Sequence, residues 1–148
     1  SLMIVYYKST YKMNILVEEI VLISHKIEKN SVVLPINETG YWLNASISNY
    51  LGVSKTMVVL ENYEASLAHF PIRWNRVDMP YLHIGDVNYH LTMSPQRNKE
   101  KNKKKIDYIV VIKGNYKSDS MLGSNQIIQS NYNVSYESDL IKLLKAKL

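Results

Sequence analysis

At 148 residues and 46% apolar composition, the chain is long enough for one domain with a real core, too short for two, and too apolar to be disordered throughout. It has no cysteine, which excludes disulfides, thiol catalysis and thiolate metal sites. The formal charge of +5 is local: Arg97 to Lys105 carries six basic residues and one acid, a sum of +5, so the remainder is neutral and the pI of 9.2 reflects that single run.

Tyrosine occurs twelve times and phenylalanine once, an aromatic usage weighted toward rings with a wet tip that suit half-buried or interfacial positions. No stretch approaches the roughly 18 consecutive apolar residues of a membrane span. The opening Ser1-Leu2-Met3-Ile4-Val5-Tyr6-Tyr7 lacks the charged start and the small-residue cleavage site of a signal peptide, and reads as a boundary inside a longer protein.

The first predicted element is a helix from about Thr10 to Lys29. Met13, Leu16, Val17, Ile20, Ile23 and Ile27 recur at helical spacing, Glu18, Glu19, Lys26, Glu28 and Lys29 take the other side, and Asn30 is the expected stop. His25 sits near the C-terminal end, where the helix dipole favours a cation. Ser31 to Ile36 reads as a short buried strand, with Pro35 best placed at its end because it lacks a donor. Asn37-Glu38-Thr39-Gly40 is a turn, and Trp42, Leu43, Ile47, Tyr50 and Leu51 predict a second helix closed by Gly52.

The strand that follows, Met57-Val58-Val59-Leu60, completes a strand–helix–strand unit and so implies parallel strands with a right-handed crossover. A nucleotide fingerprint is excluded, because the turn Asn37 to Gly40 offers one glycine and a carboxylate where a phosphate loop needs bare amides. From Asn75 to Met93 periodicity is poor, and Arg97 to Lys105 reads as a solvated basic loop. Ile106 to Ile112 is a clear strand, Ser124 to Ser130 a short helix, and Tyr132 to Tyr136 an alternating strand turned by Glu137-Ser138-Asp139. Leu140 to Leu144 fits a helix or the second strand of a hairpin equally well on pattern. The expected fold is a single α/β domain over residues 1–148, three-layered and Rossmann-like, with a small, mostly parallel sheet. Its parts are the helix and strand–helix–strand unit over 9–75, an irregular insert with the basic loop over 76–105, and a strand, short helix and terminal segment over 106–148.

The stretch from Thr56 to Asn75 carries most of the candidate chemistry. An apolar strand ends there in a polar, aromatic cluster, at the strand end where α/β proteins place ligands. Glu61, Asn62, Tyr63, Glu64, Arg73 and Trp74 are the candidate ligand-binding residues: carboxylates to accept sugar hydroxyls, Arg73 to meet a phosphate or acidic sugar, Trp74 to stack on a ring. Glu61 and Glu64 lie three apart, a spacing that does not set the separation of a glycosidase acid pair. His83, Asp86 and His90 match no metal-ligand pattern, and no serine sits in a nucleophile elbow. No catalytic residue, metal or cofactor is assigned. The triplets beginning at Asn37, Asn44 and Asn133 are glycan acceptors only in a eukaryotic secretory setting.

The order of segments carries a resemblance. Ser31-Val32-Val33-Leu34-Pro35 is followed by Asn49-Tyr50-Leu51-Gly52, by Val58 to Ala65 (VVLENYEA), by Phe70 to Asn75 (FPIRWN), and by Asn131 to Asp139 with the tail Leu140 to Leu144. This resembles the extramembrane C-terminal domain of bacterial multi-pass envelope proteins, many of them glycosyltransferase-like, across roughly Thr10 to Leu144. Residues His83 to Lys105 have no counterpart in that pattern. The resemblance implies a C-terminal β-hairpin and a non-catalytic domain on the extracytoplasmic face of a bacterial membrane. The catalytic acids of such proteins are expected in loops between membrane spans, which this chain lacks. Its partners would be the parent's transmembrane region and a glycan or lipid-linked sugar, with no nucleic acid. Two other readings remain open: a stand-alone carbohydrate-binding or carbohydrate-active protein using Glu61 to Trp74, and a module binding an anionic surface through residues 97–105.

Overall fold

A computed structural model describes residues 2–40, 44, 46–61, 71, 105–114 and 126–147. In chain order these form helix α1 (Leu2–Ser24), strand β1 (Val32–Asn37), a 3-10 helix (Ile47–Gly52), β2 (Val58–Val59), β3 (Tyr108–Ile112), a short helix α2 (Gln126–Asn131), β4 (Tyr132–Glu137) and β5 (Ile141–Ala146). The strands make one open sheet in the order β2-β1-β3-β5-β4.

β1 runs parallel to both β2 and β3, as the strand–helix–strand reading requires. β5 pairs antiparallel with β3 and with β4, so the second half of the sheet is the hairpin that the resemblance implied. The sheet is therefore mixed rather than mostly parallel, two of its four described pairings being antiparallel. The reason is visible in the hairpin's composition. Ile141, Leu143 and Leu144 suit an interior position, so β5 inserts beside β3, while the polar β4 is left at the edge.

Alternating residues of the central strands feed two apolar clusters, one on each face. On the first, Val33, Tyr108, Val110, Ile112, Ile141 and Leu143 meet Leu16, Ile20, Ile23 and Ile27 from α1 and the turn after it, with Ile47 and Leu51 from the 3-10 helix. On the second, Val32, Leu34, Ile36, Ile109, Val111 and Leu144 gather with Leu60 and Ile106. Burial of both faces explains why β1 and β3 read as unbroken apolar runs. Each fully buried Ile or Leu stabilises the fold by about 1.5–3 kcal/mol.

Several element boundaries differ from the sequence reading. α1 begins eight residues before Thr10, because its first turns have no helix breaker but also no amphipathic period to reveal them. It ends at Ser24 rather than Lys29. There the amides of His25, Lys26 and Ile27 bond to carbonyls three residues back, which tightens the last turn. Asn30 adopts a left-handed φ of 64°, six residues past the helix, and its amide reaches the Thr56 carbonyl at 2.7 Å. The described part of the predicted second helix is a 3-10 helix. β2 is half-buried, two residues long and at the edge among the described strands, not a buried strand.

Pro35 accounts for that brevity. It lies inside β1 rather than at its end, paired with Val110 of β3. On the other side, Val58 donates to Ser31 O and Leu60 to Val33 O, both at 2.9 Å. The next rung of a parallel ladder would need the amide hydrogen that proline lacks, so the chain leaves the sheet after Leu60.

Candidate functional site

The carboxyl ends of β1, β2 and β3 lie where an α/β sheet places a ligand crevice. At the end of β1, Asn37 folds the chain on itself. Its Oδ1 accepts from the Thr39 amide (3.0 Å) and hydroxyl (2.7 Å), and its Nδ2 donates to the Asn44 carbonyl at 2.6 Å. Gly40 follows with φ +62°, a conformation that glycine adopts without strain.

At the end of β3, Gly114 lies directly against the Glu38 carbonyl and the Thr39 Cα, with no room for a Cβ. The Glu38 amide donates to Ile112 O at 2.9 Å, so the two strand ends are joined backbone to backbone. Lys113 turns toward the hairpin. Its amide donates to Leu140 O (2.8 Å), and its Nζ reaches Glu137 Oε1 (2.8 Å) and the Ser138 carbonyl (2.6 Å). Lys142 also pairs with Glu137 at 3.3 Å. The hydrogen bond from Lys113 is the main cause that holds the Glu137 carboxyl below its usual range.

Ser138 organises the hairpin turn. Its hydroxyl accepts from the amides of Leu140 (3.2 Å) and Ile141 (3.0 Å), its own amide donates to Ile141 O (2.8 Å), and its hydroxyl donates to Glu19 of α1. The turn thus ties this end of the sheet to the last third of the helix.

Glu61 stands just past β2. Burial pushes its carboxyl up from 4.5 to about 8, and Oε2 is enclosed with no hydrogen-bond partner among the described residues. At neutral pH the group is mostly a neutral acid that can donate a hydrogen bond, not the acceptor-only carboxylate assigned from the sequence. Because β2 stops early, Glu61 lies level with the middle of β1, below the turn at Asn37.

Of the six candidates, Glu61 alone is described; Asn62, Tyr63, Glu64, Arg73 and Trp74 lie outside the described residues, as do His83, Asp86, His90 and 97–104 of the basic run. Among the described residues no group of His, Asp and Glu could hold a metal. None of the described helices is long and apolar enough to cross a membrane.

The opposite end of the sheet is organised by residues that the pattern reading did not single out. Asp107 Oδ2 accepts the first amide of β1, from Val32, at 2.7 Å. Tyr132 donates to Ile106 O at 3.0 Å, and burial together with the Asp107 carboxylate pushes its phenol up to about 12. Lys55 Nζ reaches the carbonyls of His25 (2.8 Å) and Ile27 (2.9 Å), so a lysine cation stands just past the end of α1. A lysine just before an apolar strand is a weak signal. A glycine just after one, as at Gly114, is a stronger signal of close approach.

These contacts fix the direction of α1. Its C-terminal turn lies by the start of β1, where Glu28 meets Lys145 at 2.6 Å, and Glu19 lies by the hairpin turn at the other end. The helix packs on the sheet from Met13 onward. From Lys12 back to Leu2 the helix continues for about 16 Å beyond its last described core contact, at the end of the sheet that carries Gly114. Tyr7 (72% exposed) and Tyr11 (59%) stack on that projection, with centroids 6.4 Å apart. No known protein family, curated protein or solved structure matches the chain.

Proposed function

We propose that the chain is a non-catalytic domain held outside the membrane of a polytopic protein, on the extracytoplasmic face, where it assists envelope glycan transfer. The observation that carries this reading is the projecting half of α1. Eleven residues, Leu2 to Lys12, run past the sheet with exposed tyrosines, and the first of them are apolar in sequence. Such a helix is suited to join a folded domain to a bilayer.

The strand ends support a non-catalytic role. Asn37, Lys113 and Ser138 all spend their polar groups on internal bonds, and Gly114 closes the gap between β1 and β3. The domain is three-layered and Rossmann-like in this reading, with a second layer over the buried face formed by Val32, Ile109 and Val111. The partners are the parent's transmembrane region and a glycan or lipid-linked sugar, met from the Gly114 end.

The absence of cysteine makes the test direct. Val53 is 72% exposed, and Val53→Cys introduces the one thiol of this stretch, read against the otherwise unaltered protein. In intact bacterial cells making the natural protein, a membrane-impermeant maleimide is expected to label this position, with the label in the membrane fraction. Labelling that requires lysis, or label recovered in the cytosol, overturns the proposal.

A further inference from the structure

Resting on the membrane-domain reading, we infer that Tyr7, Lys8, Tyr11 and Lys12 form an anchor seated in the headgroup layer of a bilayer that contains anionic lipid. The two tyrosines and the two lysines each repeat at a spacing of four, so they make adjacent ribs along the projecting part of α1. All four side chains are exposed, and neither lysine is ion-paired with a described residue.

The dimensions agree. Tyr7 to Lys12 rises about 7.5 Å along the axis, and the headgroup layer on one side of a bilayer is about 5–7 Å deep. Tyrosine rings favour that layer because one end is apolar and the other wet. Lysines there meet lipid phosphates, and their stems can lie along the apolar boundary. Leu2 to Tyr6 would lead toward the hydrocarbon.

This placement also sets the domain's orientation. With α1 upright, Glu19 and the hairpin turn stand about 10 Å above the headgroups, so the end bearing Gly114 and the hairpin turn faces the membrane. Lys29, Lys105 and Lys145 lie at the far end, where the basic run enters β3. The anionic contact is thus assigned to Lys8 and Lys12, at the opposite end of the sheet from Lys105.

The test is flotation of the purified chain with phosphatidylcholine vesicles, with and without phosphatidylglycerol. The unaltered chain is expected to bind both, more tightly with phosphatidylglycerol and less tightly as salt rises. Lys8→Gln with Lys12→Gln should remove about thirtyfold of the phosphatidylglycerol preference. Tyr7→Ser with Tyr11→Ser should abolish binding to both vesicle types, with an unchanged melting temperature because these residues lie outside the core. No flotation of the unaltered chain, or flotation indifferent to both double variants, overturns the anchor. So does a concentration-dependent dimer in sedimentation that the tyrosine variant abolishes, since the stripe would then be a contact between copies. Any of these results leaves the Val53→Cys labelling standing, so failure of the anchor is distinguishable from failure of the membrane-domain reading.

Discussion

The parallel strands β2, β1 and β3 and the antiparallel pair β5 and β4 share one sheet, yet they are joined to the molecule in different ways. The parallel group is held by apolar side chains on two faces and by backbone meeting backbone at Gly114. The hairpin shares those clusters through Ile141, Leu143 and Leu144 of β5, but its turn is fastened by side-chain hydrogen bonds and ion pairs: Ser138 to α1, Lys113 and Lys142 to Glu137. Close packing tolerates almost no added atom, whereas exposed polar ties can be lost one at a time. The apposed strand ends at Gly114 and the hairpin turn should therefore respond very differently to single substitutions.

The largest effect is expected at Gly114. Gly114→Ala would set a methyl group against the Glu38 carbonyl, and the neighbouring atoms are backbone that cannot rotate away. A loss of about 3 kcal/mol or more is expected in denaturant unfolding. A change below about 1 kcal/mol would show that the two strand ends are not rigidly apposed.

Glu61 tests the same half through pH. Its folded value of about 8 lies above the ordinary 4.5, so the folded chain keeps a proton that the unfolded chain releases. Stability is fully present below about 4.5, falls as pH rises toward about 8, and levels off above it. Glu61→Gln removes the ionisation and should flatten that decline, leaving the variant more stable than the unaltered chain at pH 9. Parallel stability profiles for the two proteins would refute the assignment.

On the antiparallel side, Ser138→Ala removes one hydroxyl that serves two amides and Glu19. A loss of about 1–2 kcal/mol is expected, comparable to that of a helix cap. Exchange of the Leu140 and Ile141 amides should accelerate, with β1 and β3 unaffected.

The contrast also decides what could be read from residues alone. Apolar runs such as Tyr108 to Ile112 announce themselves, and so does the helical spacing of Leu16, Ile20 and Ile23. The parallel pairing of β1 and β2 followed from their separation in sequence. The order of the sheet did not, because whether β5 inserts beside β3 depends on long-range packing that no local pattern records. The start of α1 was hidden for the opposite reason. Tyr7, Lys8, Thr10, Tyr11 and Lys12 are exposed, so this part of the helix carries no amphipathic period. Ser138 read correctly as a turn residue, but its bond to Glu19 spans 119 positions and has no local trace. Glu61 was legible as a candidate and not as a neutral acid, since its state comes from burial.

Among the described strands β4 is the outermost on its side, and one detail of it bears on how copies of this domain meet. Ser135 has no partner on β5, so β4 is bulged there, and only Tyr132 to Val134 precede the bulge in regular register. A straight open edge invites strand-to-strand stitching whenever molecules are crowded, and a bulge twists the edge out of line. Three regular residues are fewer than the five or so of an ordinary strand. Neighbouring copies can therefore collide along β4 and separate again without zipping into a common sheet.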